Sequence, residues 1–333
     1  GSTGGSGSTG GGNYTGGGSA TTTETTRNPD GSTTTTVTNK TTGTVTETTR
    51  DADGSTKVVE TKRDGTVTTT DTARNGVKVV TVSKPGADTS ARVTLPASVR
   101  TATVILPGAA TPGTVAVDAK TGKAVKLSAP TGSGMAVKLD GSAELVLEDR
   151  SKAFTDTDGH WAESAIDFVT ARALFSGTSH AAFSPNEPMT RGMAAVVLHN
   201  FEGNPGSSVQ GSFTDVASGT WYTDAVHWAT AKGITGGYGN GSFGANDYVT
   251  REQLVTFLYR YADAMGYSTQ GGADLSAFSD GASVSAYAAE AMRWAVGNGL
   301  IVGTDNGVLA PGSNATRAQA ACVLNRFVLS LMK

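Results

Sequence analysis

One cysteine, four histidines and a sparse supply of charge are what this chain of 333 residues has least of. A single thiol, Cys322, excludes an internal disulfide framework and a thiolate metal cage. His160, His180, His199 and His227 lack the i, i+4 spacing of a helical metal pair, so no metal is expected. Charged residues make up 17% of the chain and the net charge is −3, which does not suit a polybasic partner of nucleic acid or of anionic membranes. No apolar run approaches the ~18 residues of a membrane span, and the longest, Met193 to Leu198, reads as part of a soluble helix. GxSxG and Walker patterns are missing, and Cys322 sits in an apolar helical stretch, where a buried inert thiol is the better reading than a nucleophile. Gly236-Gly237-Tyr238-Gly239 belongs to no βαβ unit and reads as a loop. Spacing alone leaves carboxylate pairs for glycoside hydrolysis open, but the residues concerned fall mostly on polar loops. The expectation is a chain with no catalytic set and no cofactor. It begins with Gly1 and shows no leader pattern, so any secretion signal is expected outside it.

What is abundant is glycine, 44 residues of it, and threonine, both unevenly placed. Residues 1–20 hold ten glycines and read as a flexible linker. Thr21 to Glu60 holds seventeen threonines, and turn signals stand at Asn28–Gly31, Asp51–Gly54, Asp64–Gly65 and Asn75–Gly76. Between the turns both strand faces are polar, so residues 21–88 read as a β-hairpin ribbon or a disordered stalk, with the ribbon favoured. Threonine density also suits O-glycosylation. Residues 89–150 carry short alternating runs such as Thr101–Leu106 and Ala143–Leu147, the pattern of a small all-β domain of about five strands.

From Phe154 onward the chain repeats. Phe154-Thr155-Asp156 returns as Phe213-Thr214-Asp215 and Phe278-Ser279-Asp280, at spacings of 59 and 65. Thr190-Arg191 returns as Thr250-Arg251 and Thr316-Arg317, at 60 and 66, so both markers move together. Trp161, Trp221 and Tyr287 occupy matching places, as do Gly177, Gly237 and Gly303. Each repeat (151–205, 206–272, 273–333) offers two amphipathic helices, too small a pair to hide its apolar face alone.

These residues resemble the S-layer homology domain family, whose members usually occur in threes. The resemblance covers residues 154–333. It implies an extracellular place on a bacterial cell wall and a non-catalytic anchoring role. It further implies a pseudo-threefold bundle whose inter-repeat grooves hold a secondary cell-wall polysaccharide, often bearing a ketal-linked pyruvate. The fold class expected is therefore mixed and multi-domain, an all-α bundle of three repeats preceded by the small all-β domain and the ribbon. The alternative role is a surface-assembly module, with other surface-layer subunits as partners through protein contacts.

The family signature Thr-Arg-Ala-Glu here reads Thr190-Arg191-Gly192-Met193, Thr250-Arg251-Glu252-Gln253 and Thr316-Arg317-Ala318-Gln319. Threonine is an N-cap, and Gln253 and Gln319 complete capping boxes that Met193 cannot. Arginine at a first helical position meets the positive end of the helix dipole, an unfavourable choice that asks for a reason. One reason is an anion held jointly by the guanidinium and the helix-start N–H groups; the other is a pairing with Asp156, Asp215 or Asp280 that locks repeats together. The ligand role is favoured, with the Arg251 groove used first. The three aspartates read equally well as Asx-turn acceptors or as partners of sugar hydroxyls. Trp161, Trp221 and Tyr287 suit stacking on a sugar ring or packing in a groove, whereas Trp228 and Trp294 lie on the apolar stripe. Gly177, Gly237 and Gly303 are expected to supply positive φ beside the ligand. Residues 154–333 carry fifteen acidic and nine basic residues, net −6, so an anionic polymer must be held by local arginines rather than by long-range steering.

Overall fold

A computed structural model describes residues 20–206, 213–304 and 306–332; the expected glycine linker lies, except for Ala20, outside them. The expected fold class is corrected. Among the described residues twelve β-strands, paired antiparallel, dominate the N-terminal part and six α-helices the C-terminal part, so the chain is not an all-α bundle with small β additions. The physical reason is in the threonine runs. β-Branched side chains between tight turns complete their backbone ladders strand by strand, and polar faces do not prevent that.

The chain divides into two units, residues 1–87 and 88–333. In the first, β1 (Thr21–Arg27), β2 (Thr33–Asn39), β3 (Val45–Arg50), β4 (Thr56–Thr61), β5 (Val67–Thr72) and β6 (Lys78–Ser83) pair as successive antiparallel neighbours. The glycines of the anticipated turns, Gly31, Gly54, Gly65 and Gly76, all have φ between 79° and 91°, and Gly43 (φ 70°) adds a turn that the sequence reading passed over. Threonine hydroxyls face each other across strands, Thr34 and Thr49 at 3.1 Å. Among the described residues of this unit, apolar burial is confined to Val77 and Val79.

In the second unit, β7 (Ser90–Thr94), β12 (Ala143–Asp149) and β9 (Thr114–Asp118) pair in that order, and β10 (Ser128–Thr131), β11 (Gly134–Leu139) and β8 (Ala102–Leu106) form a further sheet. Val93, Val115, Met135, Val137 and Leu145 are fully buried between them. These strands join the helices through Arg172, which follows α1 (Glu163–Ala171) and is completely buried. Its guanidinium donates to the carbonyls of Ser128, Pro112, Thr114 and Phe168 at 2.7–3.1 Å and lies 3.6 Å from the Phe168 ring centre. Burial pushes it down to about 9. Lys126 adds bonds to the carbonyls of Arg172 and Ala173 that end α1.

Each repeat contributes a helix pair: α1 with α2 (Arg191–Phe201), α3 (Thr223–Ala231) with α4 (Arg251–Ala264), and α5 (Ala289–Gly297) with α6 (Arg317–Leu331). Their apolar stripes merge into one core, in which Trp228 and Trp294 are 3% exposed, as the stripe implied. The residues before the second helices close a ring. Met189 N–H donates to Ala315 O, Ala315 N–H to Val249 O, and Val249 N–H to Met189 O, all at 2.8–2.9 Å. A head-to-tail contact that closes after three copies leaves no repeat with an unpaired edge.

Candidate functional site

The same ring places the helix-start arginines. Thr190, Thr250 and Thr316 are N-caps, and Gln253 and Gln319 complete capping boxes while Met193 does not. The next two N–H groups of each helix are already used by the neighbouring repeat: Arg191 and Gly192 donate to Asp247 O and Ala245 O, Arg251 and Glu252 to Ser313 O and Pro311 O, Arg317 and Ala318 to Glu187 O and Pro185 O. With the third N–H on the cap hydroxyl, no helix-start amide is left for an anion. The expected convergence of guanidinium and helix N–H groups is thus corrected. Any anion here meets the side chain alone.

Each guanidinium then reaches into the following repeat. Arg191 Nε donates to Phe243 O (3.0 Å), Arg251 Nε to Leu309 O (2.7 Å), and Arg317 Nε to Phe183 O (2.8 Å). The peptides that accept these bonds are held from their other side by the aspartates of the Phe-x-Asp motifs. Asp156 accepts from Phe183 and Ser184 N–H, Asp215 from Phe243 and Gly244, and Asp280 from Leu309 and Ala310, at 2.7–2.9 Å. Ser184, Gly244 and Ala310 all have positive φ (59°, 73° and 50°), so each carboxylate fixes a left-handed residue, one that Ser184 and Ala310 would otherwise avoid and that glycine adopts readily. Burial works to raise these carboxyls, and the paired N–H donors outweigh it, holding all three below their ordinary value. Among the described residues no carboxylate forms an ion pair with Arg191, Arg251 or Arg317.

The glycines act by lacking a Cβ. At Gly177 a Cβ would lie 2.6 Å from the Phe154 ring, and at Gly237 2.3 Å from Ser242 O; only Gly303 takes the expected positive φ (85°). Trp161, Trp221 and Tyr287 stand out from the surface, 66%, 61% and 53% exposed. Tyr287 donates to Glu252.

The three grooves are not alike. In the first, Arg191 also donates to Gly236 O and lies under the Tyr238 ring (4.7 Å), whose hydroxyl donates to Asp247 (3.0 Å). In the third, Arg317 donates to Ser176 O (2.7 Å) and Nη1 approaches Met193 Sδ (3.8 Å). In the second, neither terminal amino group of Arg251 has an acceptor among the described residues. That side chain lines a cavity of about 540 Å³ together with Trp161, Gly303, Gln319, Cys322 and Arg326. Burial lowers every one of these guanidinium groups below its ordinary value, Arg317 to about 10. Cys322 is half-buried, packs partly against the core and lines this cavity, and burial pushes its thiol up, in keeping with the expected inert thiol. Arg326 carries no signal of its own in the sequence; it and Cys322 follow Gln319 by seven and three residues on the same face of α6. No group of three or more His, Cys, Asp or Glu able to hold a metal occurs among the described residues.

A family model described as S-layer homology domain matches residues 153–195, 212–255 and 277–321. These are three S-layer homology domains. The trio is 30% identical over 173 residues to an amylopullulanase of Thermoanaerobacterium thermosulfurigenes, covering 52% of this chain and 9% of that protein. It is 30% identical over 172 residues to the surface-layer 125 kDa protein of Lysinibacillus sphaericus, covering 50% and 14%. A cellulosome-anchoring protein of Acetivibrio thermocellus matches at 25% identity over 148 residues, covering 43% and 33%. The chain therefore spans only a small part of the relatives it matches. S-layer homology domains are anchoring modules of the bacterial cell surface, and this is where the chain belongs. No described helix is long and apolar enough to cross a membrane.

Proposed function

We propose that this chain is a non-catalytic cell-surface anchor whose S-layer homology trio holds an anionic sugar of a secondary cell-wall polysaccharide, a pyruvate ketal fitting best, in the groove of Arg251. The observation that carries this reading is that neither Nη group of Arg251 has an acceptor among the described residues, while the side chain lines a cavity roomy enough for a sugar and bordered by the exposed Trp161. A planar guanidinium suits a carboxylate, which it can meet with two parallel bonds. Trp161 offers a flat face on which a pyranose can stack, with its indole N–H as a donor. Asp280 and Gly303 support the loop that shapes the same groove, and their part is to hold Arg251 in place through Leu309. Arg191 and Arg317, by contrast, are largely consumed by neighbouring carbonyls, which favours a locking role for them. Binding at one buried cation on a domain of net charge −6 should depend on the site and only modestly on salt.

The test is retention on purified cell-wall sacculi. Arg251→Ala should lower retention at least about tenfold, the effect of losing one charge-assisted pair of bonds. Arg251→Lys should rescue it only in part. Walls stripped of polysaccharide by acid should retain neither protein. Undiminished retention on stripped walls would reject the polymer and favour a surface-assembly role through protein contacts.

A further inference from the structure

Three grooves built from one repeat unit should offer three equivalent arginines, yet the residues around them differ at positions on or close to the guanidinium. The second-groove counterparts of Tyr238 and Asp247 are Thr304 and Ser313, a shorter side chain and an uncharged one. The third-groove counterpart of Gln319 is Met193. Gln319 and Gln253 fold back so that their side-chain oxygens accept from the N–H of their own cap threonines, 3.1–3.2 Å away. A thioether cannot make that bond. Met193 instead extends to Arg317 of the neighbouring repeat, within 3.8 Å of Nη1. In the first groove the Tyr238 ring covers Arg191, and Asp247, anchored by the Tyr238 hydroxyl, supplies a negative charge of the protein's own.

We infer that Met193 and the Tyr238–Asp247 pair are built-in plugs that restrict the trio to a single glycan-bearing groove, that of Arg251. This rests on the function proposed above and adds the residues that choose among the grooves. A soft, weakly accepting sulfur and a flat aromatic face satisfy a guanidinium without a full counter-ion, so they close a groove while leaving its arginine free to lock the repeats. Asp247 goes further, since a carboxylate already beside Arg191 repels an incoming one. The departure of the first repeat from the family signature then has a purpose. Met193 gives up part of its own helix cap and covers the next arginine.

The experiment uses the full chain and one probe, the methyl glycoside of an N-acetylhexosamine carrying a ketal-linked pyruvate. Calorimetric titration gives the number of sites, and the rate of Cys322 alkylation by iodoacetamide reports on the second groove alone. Wild type should bind one equivalent, with Cys322 protected. Met193→Gln should add a second, weaker site and should not lower the thermal midpoint, because it completes a capping box. Y238T/D247S should likewise add a second site. The reverse pair, T304Y/S313D, should weaken binding at least about tenfold and remove the protection of Cys322. Two or more sites in the wild type with Cys322 protected would overturn the plugs and leave the anchoring reading intact, as would plug variants that fold and still bind one equivalent, or a T304Y/S313D chain that binds undiminished. No binding and no protection in the wild type would reject the Arg251 reading, and the plugs with it.

Discussion

Strands β1–β6 and strands β7–β12 are the same kind of element held by different physics. In β1–β6 every residue up to β6 is exposed or half-buried, and order comes from complete ladders, tight glycine turns and rows of threonine hydroxyls. In β9 and β11 almost every residue is buried, and a guanidinium from the helical repeats is threaded among the backbone carbonyls nearby. The first arrangement is local, since each strand needs only its neighbours a few residues away. The second is tied to the rest of its unit. A polar two-faced sheet can extend strand by strand, but it has no interior in which to anchor anything else. The buried strands share a core with the repeats and so can pass constraint to them.

The contrast can be broken at its strongest point first. Arg172→Met keeps volume but removes donors from four carbonyls, three of the bonds being fully buried, and should destabilise the second unit by about 3 kcal/mol, roughly 6–12 °C in its melting midpoint. A midpoint unchanged within a degree would show that the strands hold the helices without it. A smaller effect is expected at the clamps. Asp215→Asn leaves one of two N–H groups without an acceptor and should lower the midpoint by roughly 2–6 °C. Because the Asp215 carboxyl is held below its ordinary 3.8, its stabilising contribution is complete above that pH and fades as pH falls through the folded value. Urea midpoints from pH 6 to pH 2 should therefore fall more steeply in wild type than in Asp215→Asn. The smallest change belongs to the polar sheet. Gly54 (φ 91°) has nothing within 4 Å of an added Cβ, so Gly54→Ala should cost only the left-handed backbone penalty, about 1 kcal/mol. Amide exchange at the β3–β4 hairpin should quicken by about fivefold and no further.

Much of the site was legible because its signals are short. A capping box spans four residues, and the repeat markers recur in register, so the helix starts, Arg251 and Trp161 could be picked out by counting. The partners of the arginines could not. Arg251 meets a carbonyl 58 residues away and Arg317 one 141 residues away, distances at which spacing carries no geometric meaning. The same gap misdirected the reading of the helix N–H groups, which the neighbouring repeat had already claimed. Arg172 went unnoticed for a related reason. As the residue after α1 it looks like an ordinary basic C-terminal residue, and its counterparts Lys232 and Asn298 gave no hint of a fully buried guanidinium. Comparison of the repeats position by position held one usable signal, the contrasts Tyr238 with Thr304 and Met193 with Gln319, which were read as departures from a signature rather than as contacts.

Composition, turn chemistry and a threefold period were enough to establish hairpins in the threonine region, helix pairs after residue 154 and the family of the repeats, since each depends on neighbours in the chain. Ring closure decided everything that depends on distant neighbours: which N–H groups were spent, which carbonyls took the guanidinium forks, and which arginine kept its donors. A hydrogen bond satisfied across the ring cannot also serve a ligand, and only the folded chain reveals where that choice fell.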